Sequence, residues 1–321
     1  MATEQGTDPR ETVDPGSRAA LARLALVVTR RLDGVLLGDH RGLVPGPGTE
    51  PGDAREYQVG DDVRTMDWSV TARTTVPHIR QKIADRELET WIVVDLTPSV
   101  DVAGRHGSKR ALVLAAVATV GFLAAGDGCR VGMVLAGRGG PRVLPPAGGR
   151  DQVRRLLEHA ARAEPADSAD PLREALLTVR SAARRTGLVV VVSDFLSEVT
   201  WERELRSIAP RHELLAVHVA DPLDIALPVV GAALLQDPVT GEVMELDVGR
   251  ELAGEYAAAA AAHRDGVHTA LRRCGAPVLG LRTDRDWVRD VIGFVDVRRR
   301  GGLPSGADLA RGLADDEGVP A

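Results

Sequence analysis

The sequence predicts an α/β protein with a mostly parallel sheet that is covered by helices on both faces. Two segments, residues 91–94 and 188–192, are apolar along their whole length, and they alternate with segments of helical periodicity. A strand that is apolar on both sides has to be buried on both sides, which is typical of parallel sheets between two helix layers. Both runs lead to an aspartate, Asp95 and Asp194. Ligands of such sheets bind outside the carboxyl ends of the strands, so these positions are informative about function.

The N-terminal part of the chain is predicted to contain one helix and one small subdomain. Residues 1–16 are rich in Thr, Asp, Glu, Pro and Gly and are expected to form a disordered tail. Apolar residues at helical spacing predict a helix over residues 17–32, with Ser17 as its N-cap. The Gly- and Pro-rich residues 42–52 predict a loop, and short β-prone pieces follow. We therefore expect an N-terminal unit over residues 17–90, with a β-rich part that lacks regular helices.

The main domain is predicted to span residues 91–297, and residues 298–321 are expected to form a second disordered tail. Further strands are predicted at residues 130–135, 188–192, 214–219 and 278–281, and helices at residues 153–160, 172–183, 250–273 and 287–295. A turn-rich piece is expected after residue 135. A hairpin is predicted over residues 233–246, because β-prone segments flank a turn at residues 237–241.

Composition excludes several classes of protein. The chain of 321 residues has 40 basic and 46 acidic side chains, so its net charge is −6. An acidic balance without a basic domain argues against nucleic-acid binding. Two cysteines, Cys129 and Cys274, exclude a disulfide scaffold. The longest nearly apolar run, residues 111–125, is shorter than the roughly 20 residues that span a bilayer, and no signal-peptide pattern opens the chain. We expect a cytoplasmic protein without direct membrane insertion.

Polar residues directly after two predicted strands form a candidate binding site. Asp95, Thr97 and Ser99 follow the first strand, and Asp194 follows the strand at residues 188–192. Carboxylate and hydroxyl oxygens are typical ligands of Mg²⁺ and Mn²⁺. Two carboxylates about 5 Å apart repel each other by about 3 kcal/mol at an effective dielectric constant of about 20, and a cation would relieve this repulsion. In the alternative, Asp95 caps the loop that follows it and Asp194 lies exposed and apart.

A block of charged residues before the first strand is a second candidate surface. It comprises Arg55, Asp61, Asp62, Arg64, Asp67, Trp68 and Arg73. The structural interpretation is that the arginines bind the aspartates and hold the small subdomain around a buried Trp68, because the guanidinium group suits bidentate pairing with carboxylates. The functional interpretation is that the same face binds a partner.

These motifs resemble a known family. Asp95-x-Thr97-x-Ser99 is similar to the D-x-S-x-S motif of von Willebrand factor A-like domains, whose metal-ion-dependent adhesion site uses those oxygens. The order of the preceding motifs closely resembles the bacterial domain-of-unknown-function family 58, and the similarity covers most of residues 38–295. The motifs are His40-Arg41-Gly42, Gly46-Pro47-Gly48-Thr49-Glu50, Arg55-Glu56-Tyr57, Gly60-Asp61-Asp62-Val63-Arg64, Met66-Asp67-Trp68, Ala72-Arg73 and Arg86-Glu87-Leu88-Glu89.

The resemblance implies both a fold and a function. The fold is a von Willebrand factor A-like, doubly wound sheet. The function is that of a non-enzymatic protein-interaction module, an adaptor that works with a MoxR-type AAA+ ATPase and presents a client protein. A weakly bound Mg²⁺ or Mn²⁺ held by Asp95, Thr97, Ser99 and Asp194 would keep one coordination position open for an acidic side chain of a partner.

Three departures from the family pattern bear on the metal. Thr97 replaces the first serine of the motif, Pro98 makes the metal loop unusually rigid, and Asp170 stands where a threonine ligand is expected. Asp170 is therefore a further candidate ligand, although Asp followed by Pro is also a common helix start in which the aspartate is the N-cap. Two other functions stay open, a metal-dependent hydrolase that uses the same carboxylates and a scaffold whose metal site has decayed. The sequence has no P-loop, nucleophile elbow or visible general base, so we predict that the chain is not an enzyme.

Overall fold

The computed structural model describes residues 18–36, 54–57, 66, 68–74, 76–80, 89–126 and 129–299. The helices in these ranges are α1 (Arg18–Leu36), α2 (Trp68–Thr74), α3 (Lys109–Gly126), α4 (Arg150–Arg162), α5 (Pro171–Ala182), α6 (Glu202–Ile208), α7 (Arg250–Arg273) and α8 (Trp287–Arg299). The strands are β1 (Ala54–Glu56), β2 (His78–Arg80), β3 (Glu89–Asp95), β4 (Ala103–Gly104), β5 (Gly107–Ser108), β6 (Arg130–Gly137), β7 (Gly140–Ala147), β8 (Gly187–Ser193), β9 (His212–Ala220), β10 (Gly231–Gln236), β11 (Val243–Val248) and β12 (Val278–Arg282).

A central sheet of the described residues contains six strands in the order β12-β9-β8-β3-β6-β7. All neighbours are parallel except β6 and β7, which are antiparallel. The chain starts in the middle at β3, proceeds to one edge through β6 and β7, and then returns to β8 and proceeds to the other edge. This order is that of a doubly wound sheet. The switch point, at which the chain begins to add strands on the opposite side, lies between β3 and β8. The predicted fold class is confirmed.

Two hydrophobic cores lie on the two faces of the central sheet. Along β3, Ile92 and Val94 pack into one core with α1, α3, α4 and α8, whereas Trp91 and Val93 pack into the other core with α5, α6 and α7. The alternation follows from the strand geometry, in which successive side chains point to opposite faces. Leu21 and Val28 of α1 are buried in the first core. Helix α1 was predicted as part of an N-terminal unit, but its apolar face is an integral part of the main domain.

Strand β7 was not predicted, since its sequence contains Pro141, Pro145 and Pro146 and was interpreted as a turn-rich piece. Proline has no N–H to donate to a strand ladder, so it is confined to sheet edges and bulges. Strand β7 satisfies both conditions, because it is the edge strand and its register with β6 shifts between Val131 and Met133. The short helix α6 was also missed.

The region before the sheet differs from its prediction in one respect. A small antiparallel pair, β1 with β2, agrees with a β-rich part. Helix α2 contradicts the expectation of no regular helix. Its β-branched residues Val70, Thr71 and Thr74 lower helix propensity, which explains why the sequence did not indicate it.

Of the two predicted disordered tails, only the first two residues of the C-terminal one lie in the described part of the structure. Helix α8 continues to Arg299, two residues into the predicted tail at 298–321. Ser17 and residues 1–16 and 300–321 lie outside the described residues, as do most of the motifs between residues 38 and 88. Among the helices that are described, none combines the length and the apolar character that crossing a membrane requires.

Candidate functional site

The candidate site lies where the strand order of the sheet reverses. Strand β3 ends at Asp95, and Asp194 follows the last residue of the adjacent parallel strand β8. Both aspartates are buried, with exposed fractions of 1% and 2%. The sequence prediction that both side chains lie at the carboxyl ends of neighbouring strands is therefore confirmed, and the alternative of an exposed, separate Asp194 is excluded.

Four of the predicted ligands form one hydrogen-bonded group, which we call the oxygen cluster (Asp95, Thr97, Ser99 and Asp194). The Ser99 hydroxyl donates to Asp194 Oδ2 at 2.7 Å, and the Thr97 and Ser99 hydroxyls lie 3.1 Å apart. Asp95 accepts from the Thr97 N–H at 3.2 Å and from the Ser193 hydroxyl at 2.8 Å. The loop after β3 is thus tied to β8 through side-chain oxygens.

Lys109, the first residue of α3, adds a cation to this group. Its ammonium group donates to Asp194 Oδ2 at 2.9 Å and to both carboxylate oxygens of Asp224 at 3.1 Å. The Lys109 side chain has an exposed fraction of 2%. Asp224 lies in a 3-10 turn after β9, where its carboxylate also accepts from the Asp221 N–H at 2.8 Å. Carboxylates that follow two adjacent strands, β8 and β9, therefore converge on one buried ammonium group.

Lys109 and Asp224 were missed by the sequence analysis. Neither is close in sequence to Asp95 or Asp194, and only the tertiary fold brings them together. One signal was available, since Lys109 is one of only two lysines in the chain and lies two residues before the long, nearly apolar segment 111–125. A lone lysine at the start of an otherwise buried helix needs a partner, because an unpaired buried charge is very costly.

The buried ionisable groups of the site have different protonation tendencies. Burial is the main cause that raises the pKa of Asp95 to about 7, and the charge of Asp194 raises it further. Burial by itself would lower the pKa of Lys109, but the charges and hydrogen bonds of Asp194 and Asp224 outweigh burial and raise that pKa. The amine consequently stays protonated and forms an ion pair with the two carboxylates.

The oxygen cluster as it lies does not fit a divalent cation. A Mg²⁺ bound to Asp194 Oδ2 at its usual distance of about 2.1 Å would lie within about 5 Å of the Lys109 nitrogen, which contacts the same oxygen. At an effective dielectric constant of about 20, this separation corresponds to a repulsion of about 7 kcal/mol between a double and a single positive charge. Over the described ranges, no group of three or more His, Cys, Asp or Glu side chains is arranged to hold a metal ion. The weak magnesium binding expected from the sequence stays a prediction.

Asp170, the fifth predicted ligand, is positioned by α5. Its Oδ1 accepts from the Arg173 N–H at 3.4 Å, and its Oδ2 accepts from the Thr200 hydroxyl at 2.6 Å. These contacts make Asp170 the N-cap of α5, the alternative that the following Pro171 indicated. None of these hydrogen bonds is made to the oxygen cluster.

A groove of about 1110 Å³ opens beside the oxygen cluster. It is lined by residues 97–99, 166–171, 196–198, 200, 235–239, 242 and 244. The hairpin formed by β10 and β11, which was predicted from the sequence, supplies one wall. Asp95 and Asp194 do not line the groove, whereas the hydroxyl-bearing Thr97 and Ser99 do.

The lining of the groove is acidic and partly apolar. It contains five carboxylates, those of Asp167, Asp170, Glu198, Asp237 and Glu242. Among these lining residues of the described chain there is no Lys, Arg or His. The exposed apolar side chains of Leu196, Val239 and Met244 lie in the same lining.

The second candidate surface, the charged block, is described only in part. Trp68 begins α2 and its side chain is 71% exposed, so the prediction that Trp68 is buried is wrong. Arg73 lies in the last turn of α2 with an exposed side chain. Arg55 lies in β1, but its side chain is outside the described part of the structure, and Asp61, Asp62, Arg64 and Asp67 are outside it altogether. Their ion pairs and their role toward a partner stay predictions.

Solved structures similar to this chain come from several bacteria. BatB from Bacteroides thetaiotaomicron has 18% identity and a TM-score of 0.39, and covers 67% of this chain and 98% of its own. An aerotolerance-related membrane protein from Bacteroides fragilis has 14% identity and a TM-score of 0.40, with coverages of 67% and 99%. A von Willebrand factor type A structure from Catenulispora acidiphila has 16% identity and a TM-score of 0.32, with coverages of 66% and 42%. These TM-scores are below 0.5, and the fold assignment rests on the observed strand order.

Sequence comparison identifies the family. An uncharacterized protein of Mycobacterium tuberculosis is 50% identical over 292 residues, which cover 90% of this chain and 92% of the relative. An uncharacterized protein of Mycobacterium avium is 44% identical over 162 residues, or 50% of this chain and 96% of the relative. The family model described as "Protein of unknown function DUF58" matches residues 53–266. With the motifs in the expected order and the doubly wound sheet that the resemblance implied, the chain belongs to the DUF58 family.

Proposed function

We propose that this protein is a non-enzymatic interaction module whose groove binds a basic, partly apolar segment of a partner protein. The observation that carries this proposal is the composition of the groove, with five carboxylates and exposed apolar side chains and no basic residue in its lining. Electrostatic complementarity favours a partner of opposite charge, and like charges brought together cost several kcal/mol. The sequence analysis expected an acidic side chain of a partner at this site. The carboxylates of the groove would repel such a side chain, so we propose a basic segment instead.

The identity of the partner comes from the family resemblance. This resemblance implies that the partner is a MoxR-type AAA+ ATPase and that this chain is the adaptor that presents a client protein. The groove supports a role of this kind because it is open, lies at the switch point of the sheet, and is bordered by the exposed hairpin of β10 and β11.

The chemistry of the site supports a non-enzymatic role. The Ser99 hydroxyl donates to Asp194 Oδ2, but the same oxygen also accepts from the Lys109 ammonium group. Lys109 cannot accept a proton, because it is already protonated and its three hydrogen bonds run to Asp194 and Asp224. Activation of a nucleophile requires a positioned base. Asp95, whose pKa is raised to about 7, is buried and does not line the groove, so it does not face a ligand bound there.

The experiment measures binding of the purified MoxR-type ATPase from the same organism to the full chain by biolayer interferometry. The double variant Glu198→Lys/Glu242→Lys reverses two charges in the groove lining. We expect its affinity to fall at least about tenfold, corresponding to about 1.4 kcal/mol, and the parent's affinity to decrease with added salt.

The control is Glu245→Lys, on the same hairpin. Glu245 neighbours Met244 in β11 and therefore points to the opposite face of the hairpin, and it is not part of the groove lining. Glu245→Lys should bind as the parent does. Equal affinities for the groove variant and the parent would contradict the proposed binding face.

A further inference from the structure

The buried ammonium group of Lys109 places a cation beside the oxygen cluster. It contacts the carboxylate of Asp194 directly, at 2.9 Å. Its remaining contacts, at 3.1 Å, are made to both oxygens of Asp224. An ammonium group has three donors, and here each has an acceptor.

The ammonium group is connected to the loop that borders the groove. Asp194 Oδ2, which accepts from Lys109, also accepts from the Ser99 hydroxyl, and Ser99 in turn lies within hydrogen-bond distance of Thr97. Thr97 and Ser99 line the groove. A single positive charge thus orients the polar side chains of the loop after β3 through the carboxylate of Asp194.

The position of Lys109 is fixed by its helix. It is the first residue of α3, whose next turns carry the fully buried Val113 and Val117 into the first core. The side chain can therefore not move away without disturbing the core or leaving Asp194 and Asp224 as unpaired buried charges, which is strongly unfavourable.

We propose that Lys109 is a permanent internal cation that replaces the divalent metal of the oxygen cluster, so that the loop beside the groove is ordered without any metal. The parent protein consequently does not bind Mg²⁺ or Mn²⁺ at this site. Removal of the ammonium group leaves the carboxylates of Asp194 and Asp224 and the Ser99 hydroxyl as an oxygen set that a divalent ion prefers. This proposal does not depend on the partner-binding function.

The test is a titration with Mn²⁺ as the probe, followed by electron paramagnetic resonance, in which bound Mn²⁺ loses the sharp signal of the free ion. We expect no binding at the site by the parent up to about 1 mM Mn²⁺, the weak end of the affinities of natural oxygen sites. The variant Lys109→Ala should bind at least about tenfold more tightly than the parent and should show a higher melting temperature when Mn²⁺ is added, because a ligand of the folded state stabilises it.

Lys109→Ala leaves two buried carboxylates without a cation and is expected to be less stable. The second variant is Lys109→Ala/Asp224→Asn, which leaves one unpaired buried carboxylate instead of two. We expect its Mn²⁺ affinity to lie between those of the parent and Lys109→Ala. The control is Arg154→Ala, which removes an exposed basic side chain of α4 and should behave as the parent.

Two results overturn the proposal. The first is Mn²⁺ binding by the parent that weakens in Asp95→Asn, which would place a metal in the oxygen cluster alongside Lys109. The second is a Lys109 variant that is folded, as shown by circular dichroism, and has no higher Mn²⁺ affinity than the parent. If neither Lys109 variant folds, the proposal is tested by the Mn²⁺ titrations of the parent and of Asp95→Asn alone.

Discussion

Individual carboxylates at the carboxyl end of the sheet differ in how their charge is balanced. Asp194 and Asp224 share the Lys109 ammonium group. Asp95 receives only an N–H and a hydroxyl, and its pKa is raised to about 7, first by burial and then by the charge of Asp194. A buried carboxyl group without a cation tends to keep its proton, because burial disfavours the charged form.

A buried histidine next to the site makes stability depend on pH. His218 lies on β9, opposite Ser193 of β8 in the register of the two strands, and its Nδ1 lies 3.1 Å from Nε2 of His268. Burial, followed by the charges of His268 and Arg264, lowers the pKa of His218 to about 3. The folded chain therefore keeps this imidazole neutral at pH values at which the unfolded chain protonates it.

The sign of the effect follows from proton linkage. Between the unfolded pKa of about 6.5 and the folded pKa, the unfolded state binds more protons, so the free energy of unfolding falls as the pH falls, by up to about 1.4 kcal/mol per pH unit. The contribution is fully present above about pH 6.5. In His218→Gln, the decrease in stability between pH 7 and pH 5 should be smaller than in the parent, as measured by urea unfolding at both pH values.

The exposed His106 provides the control for this prediction. His106→Gln should leave the difference in stability between pH 7 and pH 5 as it is in the parent. If His218→Gln also preserves that difference, titration of His218 does not contribute to acid destabilisation.

At the scale of elements, the pairing of β3 with β8 positions the oxygen cluster. The register aligns Glu89 with Gly187 at one end and Val94 with Val192 at the other. Asp95 and Ser193 are the next residues along the two strands, which explains why the Ser193 hydroxyl reaches Asp95 Oδ2. A shift of one strand by one residue would turn its side chains to the other face of the sheet, so that Asp95 and Ser193 would no longer meet. The register therefore decides whether the cluster forms.

Gly187 permits this pairing because the two backbones approach closely there. A Cβ atom at Gly187 would lie 2.0 Å from the carbonyl oxygen of Glu89, well inside van der Waals contact with backbone that cannot move freely. We expect Gly187→Ala to lower the free energy of unfolding by about 3 kcal/mol or more, the upper range for overpacking, as measured by urea unfolding.

Gly148→Ala is the matched control, since a Cβ atom at Gly148 has no neighbour within 4 Å. Its free energy of unfolding should stay within about 0.5 kcal/mol of the parent, as is usual for surface substitutions. A Gly187→Ala protein as stable as the parent would show that β3 and β8 do not pack this closely at their amino ends.

At the scale of the whole molecule, the protein has a sheet with a separate core on each face, and α1 completes one of them. Val28 of α1 has an exposed fraction of 1% and packs in the core that also contains residues of α3, α4 and α8. Loss of α1 would therefore uncover part of the main core.

Val28→Asp tests whether α1 and the main domain unfold together. The substitution buries an unpaired carboxylate in an apolar core, and we expect it to lower the free energy of unfolding by about 3 kcal/mol or more. Calorimetry should still show one transition, shifted to lower temperature, because the helix and the sheet share one core.

Leu26→Asp on the same helix is the control, since Leu26 is 53% exposed. Its melting temperature should stay close to that of the parent. A Val28→Asp protein whose main transition is unchanged would mean that α1 does not share the core of the sheet.

The sequence by itself determined the five parallel strands of the central sheet and the positions of the two buried aspartates. Uniformly apolar segments such as residues 91–94 and 188–192 can only be buried on both sides, and a carboxylate directly after each of them has to lie at the carboxyl end of a parallel sheet. The hairpin and the cap of α5 by Asp170 were equally predictable, because turn residues and helix caps act over a few residues of chain.

Only the tertiary structure decided which side chains surround those aspartates. Lys109 reaches Asp194 from the start of α3, and Asp224, in the turn after β9, accepts from the same ammonium group, across separations in sequence that no local pattern spans. The exposure of Trp68 and the burial of Val28 were likewise set by which surfaces pack together. Local residue patterns report the propensity and periodicity of single elements, whereas the charge balance of a buried site depends on groups that meet only when the elements pack.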